Sequence, residues 1–96
     1  MGIDFYTRNT RVNVSTYEVD GLMNLLSRLD ISTDWMHRDY ELYQMEGLIR
    51  QLVLVKTAVI RKHKSEERSL YIEQLDDIID FVRYCQKNRM SFKHSY

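Results

Sequence analysis

Apolar residues recur at helical spacing along two long stretches in the second half of the chain. In the first stretch they follow the 3-4-3-4 spacing of a coiled-coil-like seam, at Met45, Leu48, Leu52, Val55 and Val59. In the second stretch they follow a 4-3-4-3 spacing, at Tyr71, Leu75, Ile78, Val82 and Cys85. Because the chain contains no proline, neither stretch holds a residue that must interrupt a helix. The pattern predicts two long helices, over 34–64 and 66–88.

The two predicted long helices are separated by Ser65 alone. Ser65 is a suitable N-cap, and Glu66 and Glu67 suit the first turn of the helix that follows. A connection this short requires the helices to lie side by side and antiparallel, so we expect a long helical hairpin that carries the core. The β-branched residues of 53–60 would also suit a strand, but no turn residue bounds that run, which favours a helix.

A shorter amphipathic helix is predicted over 16–29. Ser15 is a natural N-cap, and Glu18, three positions later, completes a capping box. The apolar residues of one helical face follow, at Val19, Leu22, Met23, Leu26 and Leu29. We expect this helix to cover a third side of the hairpin and so to complete a three-helix bundle.

Residues 1–14 alternate apolar and polar side chains, over Ile3 to Phe5 and again over Val12 to Val14. This alternation fits a short β-hairpin, but a partly ordered extended arm remains an alternative. Residues 89–96 show no period and are predicted to be a frayed tail. The expected fold is therefore one mainly α-helical domain over 1–96, with a small N-terminal extended element.

Charge and composition restrict the partners and the compartment. Lys plus Arg (14) equals Asp plus Glu (14), and a net charge of zero gives no long-range field to attract nucleic acid or an anionic membrane. The most apolar run, 52–60, has about half the length of a membrane span and contains Lys56. The single cysteine, Cys85, excludes an intramolecular disulfide. We expect a cytoplasmic protein that needs no cofactor and does not enter a membrane.

An aromatic-rich patch at the beginning of the second predicted helix is the candidate site for a protein partner. Its candidate contact residues are Trp35, Arg38, Tyr40 and Tyr43. Tyr, Trp and Arg are enriched in the energetically dominant positions of protein interfaces. The alternative is that the aromatic residues close a small core, which suits Trp35 best. For Tyr40 and Tyr43 we expect partial exposure and contact with a partner.

The middle of the second predicted helix has more apolar residues than one neighbouring helix can cover. The surplus consists of Val53, Leu54 and Ile60. Either the N-terminal segment covers these side chains or a second subunit does, and we expect a homo-oligomer.

Two further groups of residues carry alternative chemistry. Carboxylates at helical spacing, Glu73, Asp76, Asp77 and Asp80, are typical of helical metal sites, but such sites need facing carboxylates, and a solvated polar face is the simpler interpretation. A basic cluster, Arg61, Lys62 and Lys64, would suit phosphate, although cations at the end of a helix also complement its dipole.

The pattern as a whole predicts a small non-enzymatic regulator or inhibitor that binds a partner protein, covers its working site and self-associates. The expectation that it is encoded by a phage or mobile element follows only from its size and its lack of motifs. A nucleic-acid-binding regulator using Arg61, Lys62 and Lys64 is one alternative. A metal-dependent helical hydrolase using Glu73, Asp77 and Asp80 is the other.

Overall fold

A computed structural model describes residues 2–15 and 21–95. Within these ranges three strands and three α-helices are present: β1 (Ile3–Tyr6), β2 (Arg11–Val14), α1 (Leu22–Arg28), α2 (Met45–Lys62), α3 (Arg68–Lys87) and β3 (Lys93–Ser95). Two short 3-10 helices, Asp34–His37 and Leu42–Gln44, precede α2. The predicted mainly α-helical fold with an N-terminal β element is confirmed.

The N-terminal segment is a β-hairpin and not an extended arm. Strands β1 and β2 pair antiparallel, with Ile3 opposite Val14. The backbone N–H of Thr7 donates to the Thr10 carbonyl at 2.8 Å and closes the turn. Ile3, Phe5 and Val14 are buried. The apolar side chains that alternate in the sequence therefore point into the core, as a half-buried hairpin requires.

The C-terminal segment, which we expected to be a frayed tail, adds a third strand to this sheet. Strand β3 pairs antiparallel with β1, which gives the strand order β2-β1-β3. Just before β3, Phe92 and Tyr40 exchange backbone hydrogen bonds of 2.9 and 3.1 Å. The free edge of β1 offers unpaired backbone N–H and C=O groups, and the short strand β3 is held by pairing with them.

The first helix is shorter in the structure than the predicted range 16–29. It begins at Leu22, because the backbone of Gly21 is extended, with φ −62° and ψ 159°. The predicted first turn over 16–20, with the capping glutamate, lies outside the described residues. At the other end Asp30 takes a left-handed backbone with φ 60°, and Ile31 N–H donates to the Leu26 carbonyl at 2.9 Å. This is the hydrogen-bond pattern of a Schellman cap.

The second predicted helix, over 34–64, does not run unbroken. Arg38 is extended, with φ −136° and ψ 149°, and it separates the first 3-10 helix from the residues that lead into α2. Trp35 and Tyr40 are drawn into the core on either side of this break. Burial of these two rings and the bridge from Tyr40 to the C-terminal segment outweigh the helical preference of 38–44.

The two long helices touch along their length. Gln86, late in α3, donates to Glu46, early in α2, at 2.9 Å. The Lys56 ammonium group lies 2.6 Å from the Asp76 carboxylate near the middle of both helices.

Every seam residue predicted from the sequence is buried. The three-helix bundle and the helical hairpin stay predictions. None of the helices in the described ranges combines the length and the apolar character needed to cross a bilayer.

Candidate protein-binding surface

Two aromatic residues of the predicted partner patch, Trp35 and Tyr40, lie in an aromatic cluster inside the core. The ring of Phe92 lies at its centre, 5.1 Å from the rings of Phe5 and Phe81 and 5.2 Å from that of Tyr40, measured between centroids. These separations are in the range that aromatic pairs prefer. Trp35 completes the cluster beside Phe5, at 6.3 Å. The cluster joins both ends of the chain to the segment that precedes α2.

Burial removes two residues from the predicted partner site. Trp35 is 1% exposed and Tyr40 is 4% exposed, so the expectation that Tyr40 is partly exposed is wrong. The Tyr40 hydroxyl donates to the Trp35 carbonyl at 2.9 Å. Burial raises the pKa of Tyr40, and the nearby charge of Arg38 opposes that rise. The phenol is therefore a neutral structural donor that a partner cannot reach in the folded protein.

The other two predicted partner residues remain accessible. Tyr43 is 83% exposed in the 3-10 helix just before α2. Arg38 is also exposed, and its guanidinium carbon lies 5.5 Å from the Tyr40 ring centroid. A cation at this distance from a ring is in the range of a cation–π contact. Arg38 thus lies over the edge of the core, while Tyr43 projects away from it.

The predicted oligomer residues form an exposed surface on α2, here called the α2 outer face. We define it by Arg50, Val53, Leu54, Ile60 and Arg61. Leu54 is 70% exposed, and Val53 and Ile60 are exposed as well. Arg50 and Arg61 lie four positions before and seven positions after Leu54, which puts all three on one side of the helix. Apolar side chains flanked by arginines have the composition of an interface.

A second exposed surface runs along α3 and is acidic; we call it the α3 outer face. Its members follow one another at spacings of three and four, at Leu70, Glu73, Asp77, Asp80 and Tyr84. All five are exposed. Within the described ranges, no group of three or more His, Cys, Asp or Glu side chains could hold a metal ion. Asp76, which lies beside this face, is paired with Lys56.

The basic cluster at the end of α2 lies beside a carbonyl that binds one of its cations and beside carboxylates of opposite charge. The Lys62 ammonium group donates to the Leu29 carbonyl at 3.2 Å. Lys64 lines a shallow cleft together with Arg28, Glu66 and Glu67. The cleft therefore has mixed charge, which weakens its attraction for a phosphate backbone.

Cys85 is fully buried, as the sequence predicts for a small apolar seam residue. Burial raises the pKa of its thiol to about 11. The thiolate is the nucleophilic form of cysteine, and at neutral pH this side chain is almost entirely thiol. Cys85 therefore contributes to packing.

A contact that the sequence analysis missed joins β3 to the segment that precedes α2. Nδ1 and the backbone N–H of His94 lie 2.7 and 3.0 Å from the same Asp39 carboxylate oxygen. These two hydrogen bonds lower the pKa of Asp39. No local signal links residues that are 55 positions apart, so only the β3 pairing reveals the contact.

Comparison with protein-family models, with curated proteins and with solved structures finds no match for this chain. The function must therefore be inferred from the chemistry of the surfaces. Two exposed surfaces carry this chemistry, the basic and apolar α2 outer face and the acidic α3 outer face.

Proposed function

We propose that this protein is a small, non-enzymatic protein-binding regulator or inhibitor that acts by covering a surface of its partner. The observation that carries the proposal is the exposure of Leu54 between Arg50 and Arg61. An apolar anchor beside cations suits a partner helix that carries apolar and acidic side chains on one face. Tyr43, exposed just before α2, extends the available contact surface.

The long helices act in this proposal as a rigid support. We infer that α2 and α3 lie antiparallel as a hairpin and that α1 covers a third side. Two observations support this arrangement: Glu46 bonds to Gln86, and Lys56 pairs with Asp76, so early α2 meets late α3. A surface held on a packed helix loses little conformational freedom when it binds.

A second copy of the chain is the partner that the charges favour first. The α3 outer face offers Glu73, Asp77 and Asp80 to the arginines of the α2 outer face. In a two-fold arrangement the α2 outer face of each copy meets the α3 outer face of the other, so the same contact is made twice. Arg50 already lies 3.7 Å from Glu46, but exposed pairs of this kind are weak, and a partner carboxylate can replace Glu46.

A partner protein would be recognised by the same chemistry. An acidic and apolar helix on that protein would compete with the second copy for the α2 outer face. Self-association would then cover the α2 outer face until a partner protein displaces the second copy. The protein would then cover the surface of that partner. The proposal thus assigns one surface to both contacts.

Leu54→Glu tests the proposal, because it places a negative charge at the centre of the α2 outer face. We expect the wild-type protein to self-associate in sedimentation experiments and Leu54→Glu to be monomeric with an unchanged unfolding midpoint. Asn24→Glu is the matched control, since it adds the same charge at an exposed position of α1. The proposal fails if Leu54→Glu sediments like the wild type, or if the wild type stays monomeric at its highest soluble concentration.

A photo-reactive residue at position 54 tests the partner contact in the cell that makes this protein. A specific crosslinked product at 54, absent when the same residue is placed at 24, is the expected result. Equal products from both positions would contradict the proposed surface.

The two alternative functions stay predictions and are not proposed. Nucleic-acid binding through Arg61, Lys62 and Lys64 is weakened by the contact of Lys62 with Leu29 and by the acidic groups beside Lys64. For a metal-dependent hydrolase, Glu73, Asp77 and Asp80 would need ligands from a facing element, and the described residues offer no such group.

A further inference from the structure

The turn of the β-hairpin lies beside the end of α3, and a cleft separates them. Its volume is about 420 Å³, and its walls come from Thr7, Arg8, Asn9, Arg89, Met90 and Ser91. A neighbouring cleft shares Thr7, Arg8 and Ser91 and adds Lys93. The two clefts thus collect three cationic side chains, and neither is lined by a carboxylate. The first has the volume of a small-molecule site.

Three separate parts of the fold bring these cations together. Arg8 lies in the hairpin turn, which the Thr7–Thr10 hydrogen bond closes. Lys93 is opposite Tyr6 in the pairing of β3 with β1. Arg89 ends α3 in a Schellman cap, in which Met90 N–H donates to the Cys85 carbonyl at 2.9 Å. The sequence separates Arg8 and Arg89 by most of the chain, and the pairing of β3 with β1 makes them neighbours.

The position of Arg89 is one that favours glycine. Its backbone is left-handed, with φ 54°, a conformation in which a side chain is strained and glycine is not. The chain nevertheless has an arginine there, and Arg89 lines the cleft.

The arginines of the cleft have no carboxylate partner in the part of the chain that the structure describes. Arg11, the first residue of β2 after the turn, shows the contrast, because its guanidinium group lies 3.5 Å from the Asp4 carboxylate. No ion pair of Arg8 or Arg89 is present within the described ranges. The chain is neutral as a whole, so this end of the sheet is a local concentration of positive charge.

We propose that Arg8 and Arg89 form a binding site for a phosphate ester. The planar guanidinium groups bind two phosphate oxygens at once, and the hydroxyls of Thr7 and Ser91 provide neutral donors at the same cleft. Lys93 adds a third charge on the neighbouring side. A nucleic-acid strand and a free nucleotide both carry this group. The site is distinct from the α2 outer face and from the basic cluster at the end of α2.

A simpler role for Arg89 has to be separated from this proposal. A cation after the last turn of α3 also complements the negative end of the helix dipole. That role needs no ligand and does not involve Arg8. Variants that remove both charges, and controls that remove two charges elsewhere, distinguish the two roles.

The test compares Arg8→Gln/Arg89→Asn with Arg61→Gln/Lys64→Gln. Each removes two positive charges, and asparagine accepts a left-handed backbone at position 89. The probe is a fluorescent single-stranded DNA dodecamer, whose anisotropy is followed from low to high salt. We expect the first variant to bind roughly tenfold more weakly or worse, the loss expected for charged hydrogen bonds. Its salt slope should fall by roughly 1.4, the value for two lost phosphate contacts on a single strand.

A second titration identifies the source of the phosphate. Adenosine 5′-monophosphate and the unlabelled dodecamer are added to ¹⁵N-labelled protein, and the amide signals of Arg8 and Ser91 are followed. Shifts of these amides with both probes at similar affinity support a nucleotide site, and shifts with the dodecamer alone support a strand. Absence of these shifts with either probe at low salt overturns the proposal. An equal loss of binding in the two double variants overturns it as well.

The single variant Arg8→Gln is the control for a folding defect that the substitution at position 89 could cause at the end of α3. Its position in the exposed turn leaves the Schellman cap unchanged. We expect this variant to keep the wild-type circular dichroism spectrum and to lose part of the affinity. Unchanged dodecamer affinity in Arg8→Gln would contradict the site.

Discussion

The aromatic cluster around Phe92 and the α2 outer face both contain large apolar side chains but have opposite exposure. The cluster is covered from both ends of the chain, because Phe5 comes from β1 and Phe92 from the residue before β3. The α2 outer face has no such cover among the described residues, and Leu54 stays 70% exposed. Apolar composition alone therefore does not decide which surface is exposed. Exposure depends on which surface the two ends of the chain cover.

Two tyrosines show the same contrast three residues apart. Tyr40 exchanges backbone hydrogen bonds with Phe92 and donates its hydroxyl to the Trp35 carbonyl. Tyr43 is almost fully exposed. In the sequence both belong to one patch, and in the structure only Tyr43 can contact a partner.

The largest expected effect comes from comparing Tyr40→Ala with Tyr43→Ala. Tyr40→Ala removes a buried ring, for which a loss of about 3–5 kcal/mol in unfolding free energy is typical. Domains of this size have roughly 5–15 kcal/mol in total, so Tyr40→Ala should lose a large share of its stability. Tyr43→Ala should change the unfolding free energy by no more than about 0.5 kcal/mol. Urea denaturation followed by circular dichroism measures both variants.

Similar losses in the two tyrosine variants would break the distinction between core and surface. A stable Tyr40→Ala would show that Phe92 does not hold the segment before α2 in place. This comparison also shows why a variant lacking both tyrosines is a poor test of partner binding, since unfolding alone would abolish binding.

The sequence predicted best where structure depends on local periodicity. The seams of α2 and α3 repeat over several turns, and every seam residue is buried. The alternation of residues 3–5 and 12–14 indicated a hairpin as one of two alternatives, and the structure contains it. A pattern that repeats over several helical turns does not depend on any single residue, and this redundancy makes the prediction reliable.

The sequence predicted poorly where structure depends on a distant part of the chain. Residues 38–44 have helical neighbours, but the bridge from Tyr40 to Phe92 holds them in another conformation. Residues 93–95 have no period, and they form a strand only because β1 has a free edge. For the candidate site, the surplus apolar residues of α2 were identified, and core burial was the favoured alternative for Trp35, whereas the burial of Tyr40 was not expected.

A smaller effect is expected from the contact between Asp39 and His94, which ties β3 to the segment before α2. Hydrogen bonds from His94 hold the pKa of Asp39 below its ordinary value of 3.8. A lowered pKa in the folded state stabilises the protein above pH 3.8, and this contribution is lost as the pH falls through the folded-state pKa. The side chain is 57% exposed, so solvent screening keeps the contribution small.

Asp39→Asn should therefore lower the unfolding free energy at neutral pH and flatten its decline below pH 3.8. Urea unfolding at a series of pH values measures the difference. Asp34→Asn is the control, because it removes an exposed carboxylate for which the described residues offer no side-chain partner. Identical pH profiles for Asp39→Asn and the wild type would contradict the stabilising role of the pair.

The smallest expected effect on folding, and the most informative for function, comes from exchanging the charges of the two outer faces. Arg50→Glu/Arg61→Glu reverses the α2 outer face, and Asp77→Lys/Asp80→Lys reverses the α3 outer face. All four positions are exposed, so the unfolding free energy should change little.

Sedimentation of an equimolar mixture of the two charge-reversed proteins tests the central claim most directly. Each variant alone is expected to be monomeric, because its α2 and α3 outer faces carry charges of the same sign and repel each other across the dimer contact. In the mixture, the contact between the two reversed faces is attractive again, and a heterodimer should form. Association of either variant alone at the wild-type level, or a mixture that remains monomeric, would contradict the assignment of the α2 outer face as the binding surface.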